Sequence, residues 1–518
     1  MVKIFIDEKL VEAEEGKTIL QAAEAAGIAI PHLCYHDAFE PRGTCRLCLV
    51  EIEGIPKLEL SCSTTVKEGM KVRTQTDRVR EARKGVLEFL LAEHPMDCPI
   101  CDKAGECKLQ DYYEEYGLFE SSFAESKTRR EKKRDIGKNL IHDQERCILC
   151  ARCVRFMDEI TRTSELGIFE RGHECVVDVY DGMLIGNNYS GNLAELCPVG
   201  AITDKDFRFK TRTWFLDKGK SVCPLCSRGC NISIEHHKGF ARFSLPKRVY
   251  RVRSEYNPQI NSYWICDKGR YEYSYLDKNR QTTIHAVKNG QPVPMDWEQA
   301  LDHCATEIKK LIYKNKTSRI AVVLHSWLSN EELFLAKKIF LDDLQAKHIY
   351  FSDLPSEEGD DFLLTSERSP NRKGALELGF DVKPFALKNV EDTIDILIVF
   401  GAFLIENFNP ADIREALTHI PVKILITPQE SELNPLMDLV IPSAHIAEKE
   451  GSLTNTDGIV QKFSPALVPP GSCHSELEFL SGLGKGIEEN FSFYKRLSSG
   501  DAVRKKMAED ILFFREKE

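Results

Sequence analysis

The chain has 518 residues, 42% of them hydrophobic and 29% charged, the balance of an ordinary globular protein long enough for several cores. Its net charge of -11 gives no basis for nucleic-acid binding, and its longest apolar run, residues 397–405, falls well short of the ~20 residues a spanning helix needs. The unusual feature is 18 cysteines, all but Cys304 and Cys473 before residue 270, set at two- and three-residue gaps that gather thiols on single loops. A disulfide framework is not expected. The opening "MVKIFIDEKLVEA" reads as a strand rather than an export or transit leader, so the chain is expected to be cytosolic, with any membrane contact made through partners.

Residues 2–12 predict a hairpin, and "TILQAAEAAG" predicts a helix closed by Gly27. A long loop follows with Cys34, Cys45 and Cys48, and Cys62 lies beyond. Two strands, a helix and a cysteine loop suit a β-grasp ferredoxin, so this first set favours a two-iron, two-sulfur cluster over zinc. The gap between Cys34 and Cys45 is longer than the four residues of plant-type ferredoxins. Next, an amphipathic helix from about Asp77 delivers His94 at its end, where Pro95 stops it. Beyond it stand Cys98, Cys101 and Cys107. A lone histidine is usually a cap or a surface group, yet three cysteines with no fourth in reach weigh toward ligation. Three thiolates and an imidazole suit zinc as well as iron at this point. The basic run at 127–138 reads as a solvated linker in preference to a docking strip for an acidic partner.

The third set is Cys147, Cys150 and Cys153, completed by Cys197 in "ELCPVGA". This is half of the bacterial ferredoxin pattern, in which the Cys-Pro cysteine serves the cluster of the other run. The positions where a twin cluster would take its ligands hold Met157, Asn187, Ser190 and Leu193, so one four-iron cluster is expected and its twin is gone. The fourth set, Cys223, Cys226, Cys230 and Cys266, is too long-ranged for a simple zinc ribbon and fits the cluster domain that opens molybdopterin oxidoreductases. Cys175, Cys304 and Cys473 read as incidental small hydrophobes. Zinc has no accessible redox chemistry, so four zinc sites would mean a stapled scaffold, whereas four iron–sulfur clusters mean a wire for electrons.

From about residue 277 the pattern is α/β. The short apolar strands "IAVVLHS", "IDILIVFGA", "VKILITP" and "MDLVIPSA" alternate with helices, one capped by Asn409 with Pro410 in its first turn. No cysteine lies between Cys304 and Cys473 to ligate a catalytic metal, and no Walker loop, dinucleotide fingerprint or nucleophile triad is present.

In order, "PHLCYH", "GTCRLCLVEIEG", "EHPMDCPICDKAGECKLQD", "RCILCARCVRF", "SGNLAELCPVGAIT" and "CPLCSRGCNI" resemble the large iron–sulfur subunit (the G or 75-kDa type) of respiratory complex I, NADH:quinone oxidoreductase. The likeness is dense over residues 1–276 and thinner beyond, where "SPNRKGALELGF" and "EKEGSLTNTDGIVQ" resemble the body of molybdopterin oxidoreductases. It implies five segments: a 2Fe-2S β-grasp domain at 1–77, a four-iron domain with one histidine and three cysteine ligands at 78–118, and a ferredoxin-like domain with one retained cluster at 119–215. A further cluster domain of the molybdopterin-oxidoreductase type would span 216–276, and a degenerate α/β domain without molybdopterin 277–518. By this likeness His94, Cys98, Cys101 and Cys107 hold a four-iron cluster, giving one 2Fe-2S and three 4Fe-4S clusters in all. The chain itself would have no catalytic residue. It would sit at the cytoplasmic side of a bacterial inner membrane as part of a complex. Electrons would come from an NADH- and FMN-binding subunit and leave toward quinone, with a small thioredoxin-like 2Fe-2S subunit and the quinone-side iron–sulfur subunits as further partners. The fourth cluster would lie beside the main path, and Lys268, an electron-relay position in active relatives, becomes a surface charge. The rivals are the relay part of a soluble NAD-linked hydrogenase or formate dehydrogenase, which keeps the twin cluster missing here, and a redox-silent zinc scaffold.

Overall fold

The alternation of apolar residues at the N-terminus sets the first sheet. β1 (Val2–Ile6) buries Ile4 and Ile6, and β2 (Lys9–Ala13) buries Val11 and Ala13, in an antiparallel pair. Asp7 and Glu8 join them at φ 47° and 67°, the positive values that a tight two-residue hairpin turn requires. Three more strands, β3 (Leu49–Ile52), β4 (Glu59–Leu60) and β5 (Lys71–Arg73), complete a five-stranded sheet in the order β2-β1-β5-β3-β4, with β1 and β5 parallel. α1 (Ile19–Ala25) starts in a capping box between Thr18 and Gln21 and ends before Gly27 at φ 72°, a left-handed turn that glycine adopts freely. Its Ile19, Leu20, Ala22 and Ala23 join the strand residues in one core, the expected β-grasp.

α2 (Asp77–Glu93) begins at its Thr76 cap and ends with His94 as the capping residue. Arg83, fully buried on this helix, ties it to the sheet through the Leu49 carbonyl (2.7 Å) and to α3 (Lys108–Tyr116) through the Tyr116 hydroxyl (2.8 Å). Small sheets follow. Ile202–Asp204, Leu140–His142 and Arg134–Asp135 form one, and Leu166–Phe169 with Val176–Val179 another.

The computed structural model describes all residues except 118–121, 238–247, 289–290, 390–392, 488–496, 498 and 518. The expected boundary at 118/119 lies outside the described residues. Two compact units are present, Met1–Leu216 and Asp217–Glu518.

The second unit opens on a three-stranded sheet, Leu216–Val222, Asn231–His237 and Val249–Ser254. Its body is a seven-stranded sheet in the order Gln291–Pro294, His285–Lys288, Leu439–Pro442, Val422–Thr427, Ile396–Phe400, Ile320–Leu324, His348–Phe351. The last five are parallel and the first two form an antiparallel edge. Ile320–Leu324 and Ile396–Phe400 are buried at every position, as strands covered on both faces must be. Val322, Ile398 and Phe400 pack with helices Trp297–Tyr313 and Glu476–Ile487 on one face. Val323, Leu397 and Val399 pack with Ile413 and Leu417 of the Asn409-capped helix Pro410–Leu417 on the other. This is the α/β body expected from the strand pattern.

Candidate metal centres

The first set converges as two thiol pairs. The Cys34 thiol is held down to about 5 by hydrogen bonds from Cys45 and Thr44, and the Cys45 amide also donates to its sulfur (3.4 Å). Cys48 is held down to about 7 by a hydrogen bond from Cys62, and Cys45 and Cys62, the donors, shift up. All four are buried. Two thiol pairs match a two-iron rhomb, in which each iron takes two protein ligands.

The second set lies between the end of α2 and the start of α3. Burial pushes the thiols of Cys101 and Cys107 up, to about 11 for Cys107, and the neighbouring Cys98 adds to the shift at Cys101 as Cys101 does at Cys107. His94 shares the charged neighbours of Cys101, Asp97 and Arg146. Burial holds the His94 ring down to about 4, so it is neutral at pH 7, the form that ligates metals. Its Nδ1 is buried with no hydrogen-bond partner. Lys127 donates to the carbonyls of Ala92 (3.0 Å) and His94 (2.9 Å). The basic run is thus more than a solvated linker: Lys127 caps the helix that carries His94, and Lys132 pairs with Glu145 (2.8 Å) and Asp97 (3.4 Å).

The third set lines one cavity with all four cysteines, Cys147, Cys150, Cys153 and Cys197. Leu149 (φ 52°) and Ala151 (φ 60°) turn the chain left-handed between the cysteines, an unusual conformation for side-chain-bearing residues. The coil presents the amides of Leu149, Arg152 and Val154 to the sulfurs of Cys147, Cys150 and Cys153. Burial, with the neighbouring thiols, pushes Cys147 up to about 11 and Cys150 to about 12. His142 lines the same cavity, and both its ring nitrogens are buried without a partner. Where a twin cluster would sit, Met157 is fully buried and its sulfur takes the Asn187 amide at 3.3 Å.

The fourth set belongs to the second unit. Cys223 and Cys230 are joined through their backbones (2.8 Å), and Cys266 caps the helix Asp267–Tyr271, accepting from the Gly269 amide at 3.3 Å. Burial and the neighbouring thiols raise Cys223 and Cys230, and Cys266 to about 12. Lys268 is largely covered and paired with Glu357, so it is not a free surface charge. Near the ends of the parallel strands the second unit holds a cavity of about 650 Å³, with Tyr275, His325, Trp327, His445 and Lys449 on its walls and no cysteine among the described lining residues.

Among the described residues, no three His, Cys, Asp or Glu groups close to the spacing of one bound ion. The donor sets nevertheless suit cationic clusters. In the first set hydrogen bonds already favour two thiolates; in the others, dry and mutually repelling thiols ionise only if metal replaces their protons, and His94 and His142 hold buried ring nitrogens that no protein group satisfies. Of the lone cysteines, Cys304 is buried in the helix Trp297–Tyr313 as expected, and Cys175 is half-exposed. Cys473 is buried too, and donates to the Gln281 carbonyl at 3.2 Å.

Sequence reading missed the side chains that join the sets. Arg152 is buried against both the third and the first, donating to the carbonyls of Leu196 (3.3 Å) and Tyr35, residues adjacent to Cys197 and Cys34. Gly200, three residues past Cys197, lies so close to Cys101 that a Cβ there would collide with its sulfur. The available signal was position alone: a basic side chain wedged between two cysteines cannot lie far from sulfur.

Fold and ligand sets together define a multidomain iron–sulfur protein built on a ferredoxin module. Residues 1–77 match the 2Fe-2S iron-sulfur cluster binding domain family, 83–122 the NADH-ubiquinone oxidoreductase-G iron-sulfur binding region, and 137–203 the ferredoxin-like domain of NADH-quinone oxidoreductase subunit 3. Residues 217–278 match the molybdopterin oxidoreductase Fe4S4 domain and 363–485 the molybdopterin oxidoreductase family. The NADH-quinone oxidoreductase G subunit of Rickettsia felis is 39% identical over 65% of this chain and 49% of its own length. The NADH-ubiquinone oxidoreductase 75 kDa subunit of Reclinomonas americana is 38% identical over 68% of this chain and 49% of its own. A chain of a NAD+-reducing [NiFe]-hydrogenase structure is 32% identical over 41% of this chain and 91% of its own, with a TM-score of 0.38. The chain is thus similar to NADH-quinone oxidoreductase G subunits and to a 75 kDa subunit, and it spans about half the length of the curated relatives it matches.

Proposed function

We propose that this chain is an electron relay of an NADH:quinone oxidoreductase. It would take electrons that an NADH- and FMN-binding partner withdraws from NADH and pass them toward quinone by way of the quinone-side iron–sulfur subunits. A small thioredoxin-like 2Fe-2S subunit completes the expected partners. The work is done on the cytoplasmic side of a bacterial membrane that the chain meets only through the complex; among the described residues no helix is long and apolar enough to cross it.

The five segments inferred from the sequence divide this work. Cys34, Cys45, Cys48 and Cys62 hold a 2Fe-2S cluster; His94 with Cys98, Cys101 and Cys107, then Cys147, Cys150, Cys153 and Cys197, then Cys223, Cys226, Cys230 and Cys266, each hold a 4Fe-4S cluster. Such clusters supply one-electron oxidation and reduction over a wide range of potentials. The protein's part is to exclude water, fix spacing and set local charge. The observation that carries this reading is the stitching of the first three sets inside one unit, the first to the third through Arg152 and the third to the second through Gly200. Transfer would run in that order. The second unit's α/β body is read as a scaffold without pterin.

Metal analysis and low-temperature EPR of anaerobically purified chain test the reading. The expected result is about fourteen irons with matching acid-labile sulfide, two for the rhomb and four for each cube, and paramagnetic signals on reduction. Stoichiometric zinc, or a reduced and intact protein without iron–sulfur signals, overturns it.

A further inference from the structure

Arg152 stands where no single cluster accounts for it. It is 6% exposed, and its guanidinium donates to the carbonyl beside a ligand of the third set (Leu196, 3.3 Å) and to the carbonyl beside a ligand of the first (Tyr35). It lines the third-set cavity, and the thiols that act on it come from both sets, Cys150 and Cys197 on one side and Cys34 and Cys45 on the other. Among the described residues its side-chain hydrogen bonds go to these two backbone carbonyls and to no carboxylate, and its Nε is buried without a partner. Burying a cation without a counter-ion is costly. Anionic cluster–thiolate assemblies on either side are the partners that would offset that cost.

We infer that Arg152 is a shared electrostatic tuning residue, whose one positive charge raises the reduction potentials of the first and third clusters together. The inference rests on the cluster assignments proposed above. Arg152 gains and loses neither proton nor electron. Each cluster takes one electron from the reductant and becomes more negative by one charge, and a fixed cation between the two favours that step at both. An arginine suits the place because it stays charged when buried and its planar fork reaches two acceptors at once.

The test is EPR-monitored redox titration of the anaerobically purified full chain, wild type against Arg152→Gln and Arg152→Lys. In Arg152→Gln the midpoints of the first and third clusters both fall, each by at least a tenfold change in the oxidised-to-reduced ratio at fixed potential, or 59 mV for a one-electron couple. The second and fourth stay in place. Arg152→Lys keeps the charge and restores both midpoints, although an amine cannot span both carbonyls. Unchanged midpoints in a loaded Arg152→Gln protein overturn the inference, as does a fall at only one cluster. If Arg152→Gln fails to load its clusters, the lysine variant decides: both signals recovered support a need for charge, and loss of both makes the side chain a mechanical tie. A wild-type chain without iron defeats the functional reading instead.

Discussion

Replacing Gly200 by alanine places one methyl group between the loop of the third set and a ligand of the second. Gly200 has no left-handed backbone, so alanine meets no torsional penalty there; the whole effect is steric. The new Cβ would lie 3.4 Å from Lys103 Cβ and 3.5 Å from Arg146 Cδ, and against Cys101 Sγ far inside the 3.0 Å that real Cβ atoms essentially never pass. Lys103 is fastened to the Ala194 carbonyl (3.0 Å) and Arg146 is clamped by Asp97 (2.7 Å), so the sulfur is what must move. Overpacking of this kind costs about 1–3 kcal/mol in a core, and a ligand sulfur displaced by most of an ångström cannot keep its bond to metal. Iron should therefore fall by about four per chain, one cubane's worth, with loss of the second cluster's EPR signal and retention of the third's. Gly269→Ala is the control. Its Cβ would stand 3.3 Å from Cys223 Sγ and 3.7 Å from Cys266 Sγ, a crowding that shifts of a few tenths of an ångström relieve, so the fourth cluster survives. A Gly200→Ala protein with full iron and an unaltered second signal would refute the packing argument.

A thiolate in place of the neutral imidazole adds a negative charge, so His94→Cys should lower the second cluster's potential; a titration showing it unchanged or raised removes His94 from the ligand set. His142→Leu takes away an orphaned N–H donor from the third cavity and should lower the third cluster's potential alone, so a shift at the first cluster as well would speak against a local role. Lys449 is buried between Glu332 (2.8 Å) and Glu476 (2.5 Å), and Lys449→Met, which strands two carboxylates, should destabilise the second unit by about 3–5 kcal/mol in scanning calorimetry; a variant as stable as wild type contradicts this. Burial pushes Glu476 up to about 7 from its ordinary 4.5. Between those values the folded chain holds a proton that the unfolded chain has lost. This group's contribution to stability therefore falls as pH rises from about 4.5 to about 7 and is level above. Glu476→Gln should flatten that slope, and an unchanged slope assigns the effect elsewhere.

The sequence by itself determined the elements and the grouping of the cysteines. Cysteine gaps of two and three residues are local, so Cys147, Cys150 and Cys153 had to share a loop whatever the rest of the chain did. The caps Thr18, Asn409 and Gly27, and the end of α2 at His94, follow from rules that act within one or two turns. The apolar strands Ile320–Leu324 and Ile396–Phe400, alternating with helices, announced an α/β body by composition alone. What only the tertiary structure decided is which group faces which across long separations. Arg152 meets Tyr35 over 117 residues, Lys127 reaches back to the end of α2, and Gly200 closes on Cys101. No short window of sequence encodes such pairs, because they exist only once separate loops pack into one core. The same packing buries Cys473 as a donor to the Gln281 carbonyl and ties the basic run to the end of α2.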